Sequence, residues 1–228
     1  MAAFTTIDDP SVYFQIATWT GNTSAPRSIT NDGNSDMQPD WVWGKNRTTA
    51  GTDHEIYDSN RGTGVNFNLK SSSSGAEGVG TTYGQLTSFD TDGFTVNAGG
   101  TNDDFWNENG SEFVAWQWKA GGGTTASNSD GSITSTVQAN TTAGFSIITY
   151  TGTGGNETFG HGLGVAPDMW IIKRRNGTGS WAVGFNDSDV LGGTSKYLIL
   201  QSDAAVSTYL NFFGTSAASS TVMRIAGD

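Results

Sequence analysis

The 228 residues contain no cysteine. Disulfide staples, thiolate metal sites and cysteine nucleophiles are therefore excluded. Basic charge is scarce as well: 11 Lys and Arg stand against 22 Asp and Glu, a net charge of −11. Such a surface repels nucleic acid, so no nucleic-acid partner is expected without a local basic patch. No apolar run approaches the roughly 18 residues of a spanning helix, so no membrane partner is expected. The first residues, Met1-Ala2-Ala3-Phe4-Thr5-Thr6, lack the basic and apolar regions of a secretory signal. If the protein acts outside a cell, another route of release is implied. Zincin, nucleophile-elbow and phosphate-loop motifs are missing, and no catalytic residue is assigned.

Glycine, by contrast, is abundant at 32 residues, beside 8 Trp and 12 Phe. Glycine costs about 1 kcal/mol in a helix interior, so this composition favours short strands and many turns. The aromatics argue against disorder. A stretch beginning Pro39-Asp40-Trp41-Val42-Trp43-Gly44-Lys45 returns as Pro167-Asp168-Met169-Trp170-Ile171-Ile172-Lys173, 128 residues on (167 − 39). Trp19-Thr20-Gly21 returns as Tyr150-Thr151-Gly152, 131 on (150 − 19), and Tyr57-Asp58 as Phe185-Asn186, again 128 on (185 − 57). This period is that of a domain-sized unit, not of a solenoid module. The expected fold is all-β, an antiparallel, jelly-roll-like β-sandwich built from two related units. Residues 1–122 form the first, closed by Gly121-Gly122-Gly123, and residues 123–228 the second.

Alternation predicts strands at Tyr13–Thr20, Trp41–Lys45, His54–Asp58, Val65–Leu69 and Phe113–Lys119. Asp92-Gly93 supplies the turn of a hairpin between Leu86–Phe89 and Phe94–Val96. Residues 21–38 and 71–82 read as loops, the latter as the mobile one of the first unit. In the second unit strands are expected at Ile133–Val137, Phe145–Tyr150, Met169–Lys173, Trp181–Phe185, Tyr197–Leu200, Tyr209–Phe213 and Val222–Ile225. No counterpart of Phe113–Lys119 follows there, which leaves an expected open edge that Ile133–Val137 or another subunit would cover.

Asp32, Asp36 and Asp40, then Asp90 and Asp92, then Asp103, Asp104 and Glu108 form three acidic groups. Hard cations take carboxylate oxygens, which makes calcium the one candidate cofactor, but none of these groups matches a calcium-loop spacing. Asp and Asn also favour turns, because they hydrogen-bond their own backbone. Loop aromatics can stack on sugars. Trp106, with Asp103 and Asp104 beside it, is therefore a candidate ligand-binding group, while Trp19, Trp41, Trp43, Trp116 and Trp118 fall in strands and read as core or interface. His161, in Phe159-Gly160-His161-Gly162-Leu163-Gly164, is the other candidate; its ring is also suited to fixing that loop. No metal site is assigned to either histidine.

The ordered strings suggest a family. Asp9-Pro10-Ser11, Trp19-Thr20-Gly21, Gln38-Pro39-Asp40-Trp41-Val42-Trp43-Gly44-Lys45-Asn46-Arg47, Tyr57-Asp58-Ser59, Phe89-Asp90-Thr91-Asp92-Gly93-Phe94 and Phe113-Val114-Ala115-Trp116-Gln117-Trp118-Lys119-Ala120 run through the first unit, with His161-Gly162-Leu163-Gly164 and Ala166-Pro167-Asp168 in the second. Together they resemble an uncharacterised domain repeated in virion structural proteins of tailed bacteriophages, marine and cyanobacterial phages in particular. The resemblance implies a non-enzymatic capsid-decoration or fibre-type subunit in a virion assembled in the host cytoplasm. It implies other virion proteins as partners and a homo-oligomer, a trimer by analogy. A receptor- or carbohydrate-binding module with a host glycan as ligand is the alternative, and a glycan-degrading enzyme a third reading.

Overall fold

The computed structural model describes residues 7–78, 82–99, 105–186, 191, 196–208 and 218–226. The fold is all-β, made of several small antiparallel sheets. Two compact units are present: residues 1–70 with 77–123, and residues 71–76 with 124–228. Among the described residues no helix is long and apolar enough to cross a membrane.

The first unit opens with a 3-10 turn, Pro10–Val12, capped by the Asp9 carboxylate, which accepts from Ser11 N and Ser11 Oγ. Eight strands follow: β1 (Phe14–Thr20), β2 (Arg27–Ile29), β3 (Trp41–Asn46), β4 (His54–Asp58), β5 (Leu69–Lys70), β6 (Gln85–Phe89), β7 (Phe94–Asn97) and β8 (Glu112–Trp118). They form one sheet in the order β1-β8-β3-β4-β5 and a second in the order β2-β7-β6. Successive side chains of a strand point to opposite faces, and the core selects one face of each. Ala17, Trp19, Val42, Tyr57, Phe113 and Ala115 from the larger sheet meet Ile29, Leu86, Phe94 and Val96 from the smaller. The β6–β7 turn needs its glycine. Gly93 has φ +94°, and a Cβ there would lie 2.0 Å from the Ile29 carbonyl oxygen.

The tryptophan pair of β8 lies on the other face. Phe113, Ala115 and Gln117 are the buried residues of that strand. Trp118 packs on Phe14 at 4.9 Å and on Trp41 at 6.2 Å, and Trp116 on Trp43 at 6.2 Å. These are cross-strand aromatic pairs between β8 and its two neighbours.

One carboxylate joins these strands. Asp40, fully buried, accepts from Ala120 N (2.8 Å) and Gly122 N (2.7 Å) at Oδ2. Its Oδ1 accepts from Gly123 N (2.7 Å) and Ser59 Oγ (2.6 Å). The turn after β8 is thus fastened to the start of β3 and the end of β4.

Two expectations fail here. Val65–Leu69 is no strand: Phe67 N bonds to Gly64 O in a turn, and only Leu69–Lys70 pairs with β4. The buried Arg61 guanidinium draws that turn in, donating to the Phe67 carbonyl (2.6 Å) and bridging Asp58 and Glu77 at 2.5 Å each. Nor are residues 71–76 a free loop of the first unit. They belong to the second, where Ser73 O accepts from Trp181 Nε1 and Ser74 O from Gly179 N and Lys173 Nζ.

The second unit contains β9 (Ala126–Asn128), β10 (Ser135–Asn140), β11 (Phe145–Tyr150), β12 (Glu157–Gly160), β13 (Met169–Ile172), β14 (Ala182–Phe185), β15 (Lys196–Ile199), β16 (Ser207–Thr208) and β17 (Val222–Ile225). Its sheets run β11-β10-β9, β12-β17 and β13-β14-β15-β16. The strands β2, β9, β12 and β16 were not expected; the first lies inside the stretch 21–38, which reads as a loop. Tyr209–Phe213 lies outside the described residues.

Pairings of the first unit recur in the second. Ile29↔Phe94 and Ser28↔Thr95 of β2–β7 become Gly160↔Val222 and Phe159↔Met223 of β12–β17. The β3–β4 hairpin, closed by Ser59 N to Asp40 O, becomes β13–β14, closed by Asn186 N to Asp168 O, each at 2.9 Å. The second hairpin is one residue shorter, so Asp58 matches Phe185 rather than Asn186. Among the described residues no strand stands where β8 would be. The join strand β10 pairs with β11 and β9 and does not reach β13. β13 is therefore an edge among the described residues, and Asp168, the counterpart of Asp40, is exposed.

These paired carboxylates give a direct test. Asp40→Ala removes four charge-assisted bonds and strands three backbone donors, and is expected to destabilise the first unit by about 3 kcal/mol or more. Asp168→Ala is expected to stay within about 0.5 kcal/mol of wild type. Urea denaturation of the two variants measures both.

Candidate functional site

The first unit carries a depression of about 260 Å³ lined by Thr49, Ala50, Gly51, Thr52, Asp53, Lys70, Tyr83 and Phe105. The β3–β4 connection supplies five of these residues and β5 supplies Lys70. Lys70 forms an ion pair with Asp53 at 2.7 Å. Its ammonium also lies 4.7 Å from the Phe105 ring centroid and 5.5 Å from that of Tyr83. The two rings pack at 4.7 Å. A cation against aromatic faces is favourable, so this corner holds one charge of each sign, two rings and threonine hydroxyls. That chemistry suits a small polar ligand with one apolar face.

Across the ladder from Lys70 stands Glu55, on the same face of the sheet. It is 1% exposed. Its Oε2 accepts from Trp106 Nε1 and its Oε1 from Asn68 Nδ2, both at 2.6 Å. Burial pushes its carboxyl up to about 7; the bonds from Trp106 and Asn68 and the nearby Lys70 charge oppose that shift. With both oxygens engaged inside the core, Glu55 acts on Trp106, not on a ligand. Tyr57, two residues on, has its phenol pushed well above the ordinary value by burial and by the Glu55 charge.

Trp106 is where the sequence misleads. Its ring is completely buried rather than set in an open loop. It lies 5.7 Å from Tyr57 and 6.2 Å from Phe94, and Trp19 Nε1 donates to its carbonyl. The ring tip fills the space above Gly44, where a Cβ would lie 2.5 Å from Cη2. A sugar cannot reach it. Its neighbours Asp103 and Asp104 lie outside the described residues.

His161 is also internal, at 1% exposure. Leu163 N donates to Nδ1, so the proton sits on Nε2, which faces Ser219 O at 3.1 Å. Burial lowers its pKa, against the pull of Ser219 and Asp130. Both nitrogens hold the loop, and neither is turned to solvent.

Asp90, Asp92 and Glu108 of the acidic groups bond within the fold. Asp90 accepts from Ser88 and Thr95 hydroxyls and Asp92 from Met37 N. Glu108 Oε2 accepts from Asn46, Thr49 and Ser111. Among the described residues no three His, Asp or Glu side chains converge as a metal site. The depression was missed because its residues come from four separate stretches of sequence. Phe105-Trp106 was the available signal, with the wrong ring chosen: Phe105 lines the depression and Trp106 faces the core.

Glu55 sets a pH dependence. Its folded value, about 7, is above the ordinary 4.5. The folded state therefore favours the protonated form, so the contribution of Glu55 to stability is fully present below about 4.5 and is lost as pH rises through 7. The loss is of order 3 kcal/mol. Glu55→Gln keeps the shape without the charge. It is expected to flatten this slope and to exceed wild type in thermal stability at pH 8; melting curves from pH 4 to 8 check it.

The sequence was compared with known proteins. No curated protein and no solved structure matches it. A family described as a domain of unknown function, DUF7483, matches residues 9–228. That match takes in both units, and the chain belongs to the DUF7483 family.

Proposed function

We propose that this chain is a structural subunit of a tailed-phage virion, of the capsid-decoration or fibre type, assembled in the host cytoplasm. The observation that supports this reading is the use made of the residues that carry the resemblance. Asp40 fastens the turn after β8, Trp19 and Phe113 are core, and Trp41, Trp43, Trp116 and Trp118 pair across the sheet. The signature is written into strand pairing, which suits a protein that builds rather than one that turns over a substrate. On this reading the first unit is an antiparallel sandwich, its five-stranded sheet over its three-stranded one. The chain works as a homo-oligomer, a trimer by analogy, among other virion proteins.

The carbohydrate- or receptor-binding alternative has one observation in its favour, the depression at Lys70, Asp53, Tyr83 and Phe105. It does not compete with the first, because virion subunits can carry receptor sites. Stacking of a sugar on one aromatic ring is worth about 1 kcal/mol, so useful affinity needs several copies.

Purified particles are expected to contain the chain in many copies, detectable by immunogold labelling and quantitative mass spectrometry. Its absence from mature virions would remove the proposal. Light scattering of the isolated protein is expected to give more than one subunit. A glycan array probed with the oligomer tests the alternative, where Lys70→Ala should abolish any signal seen.

A further inference from the structure

We infer that Asn176 is a site of self-modification, at which the Gly177 amide nitrogen attacks the Asn176 side-chain carbonyl carbon and ammonia leaves. The reaction needs no partner and does not depend on any role in a virion. Its setting is the loop between β13 and β14. The chain holds a second Asn-Gly pair, Asn109-Gly110, in a different setting.

The β13–β14 loop is held at its base and open at its tip. Lys173 Nζ and Gly179 N both donate to the Ser74 carbonyl, at 3.2 Å and 2.9 Å. Residues 175–177 form a bend between these anchors, and Asn176 is exposed there. Arg174 folds back over the bend, and its Nε donates to Asn176 Oδ1 at 3.1 Å. The guanidinium also lies against the next residue. A Cβ on Gly177 would stand 3.0 Å from Arg174 Nε and 3.1 Å from its Cζ. Glycine therefore leaves room for that cation beside the Asn-Gly peptide bond.

Three conditions for attack meet here. The nucleophile must be free, and the Gly177 N–H donates to no acceptor among the described residues. The carbonyl carbon must be electron-poor, and a charge-assisted bond to Oδ1 draws electrons away from it. The negative charge that grows on Oδ1 must be stabilised, and the same Arg174 N–H already points at it.

The other pair lacks this arrangement. Asn109 is exposed as well, in the turn before β8. Gly110 N, however, donates to the Gly21 carbonyl at 3.0 Å. That bond must break before the nitrogen can attack. Among the described residues no cation bonds to the Asn109 side chain.

The bond between Gly177 N and Asn176 Cγ forms while the Cγ–Nδ2 bond breaks. The Gly177 amide proton departs with Nδ2 as ammonia, and a cyclic imide remains. Water then opens the imide at either carbonyl. The products are an aspartate in place of Asn176, or an isoaspartate whose backbone carries one more methylene. Each sets a carboxylate beside Arg174 and takes the net charge of the chain from −11 to −12 (−11 − 1). A basic loop in an acidic chain is thus partly neutralised with age.

The full chain, incubated at pH 8 and sampled over time by peptide mapping and mass spectrometry, tests this. The peptide that contains Asn176 is expected to gain about 1 Da. It should do so about tenfold faster, or more, than the peptide that contains Asn109. Methyl transfer by an isoaspartyl methyltransferase identifies the isoaspartate, and ion exchange resolves the added negative charge. Gly177→Ala crowds the amide and displaces Arg174, and is expected to slow the reaction about tenfold. Arg174→Gln, at an exposed position, is expected to slow it severalfold. In urea the two sites should react at similar rates, because the fold makes the difference. Equal rates at the two sites in the folded chain, a gap that persists in urea, or an Arg174→Gln rate equal to wild type would overturn the inference.

Discussion

The first unit depends on the carboxylate of Asp40. A buried charge is tolerated only when its oxygens are filled by donors, and here four donors meet two oxygens. Three of them are consecutive amides or nearly so in the glycine-rich turn after β8. That geometry needs residues without bulky side chains, and Gly122 and Gly123 both adopt positive φ. Fastened in this way, β8 runs between β1 and β3 and gives each an antiparallel partner. Remove it and a five-stranded sheet becomes two separate pieces. The second unit is arranged in that manner, with the counterparts of β1 and β3 lying in different sheets.

Packing follows from this sheet. Once β8 is central, its face with Phe113, Ala115 and Gln117 turns inward, and the room above Gly44 is filled by Trp106 from the turn before β8. Trp106 brings an indole N–H into the core. Glu55 answers it, at the cost of a carboxylate whose charge is disfavoured by burial. The same side of β4 and β5 then carries Lys70 outward to Asp53, Tyr83 and Phe105. The depression and the buried acid are thus consecutive layers of one construction.

Much of the scaffold was legible in the sequence. The Pro-Asp repeat marked both hairpins, the alternation in Phe113–Lys119 marked β8, and Asp92-Gly93 marked a turn that only glycine fits. The short strands β2, β9, β12 and β16 were not legible, because two to four residues carry no period and their pairing comes from distant partners. Val65–Leu69 alternates as a strand should, yet the buried Arg61 bonds to the Phe67 carbonyl and leaves it as a turn. The candidate site residues fared worst. Trp106 read as a ring open to a ligand and is internal; His161 read either as a ligand group or as a ring fixing its loop, and it is internal, bonded to Leu163 N and Ser219 O.

The sequence by itself determined the all-β class, the repeat and the absence of thiol chemistry, because composition, periodicity and residue identity act locally along the chain. Which face of each strand turned inward was decided only in three dimensions. So were the burial of Trp106 on Gly44, the charge environment of Glu55, the capture of residues 71–76 by the second unit and the edge left at β13. Each of these depends on which distant segments meet, and strand pairing is a choice among many partners that no local pattern can make.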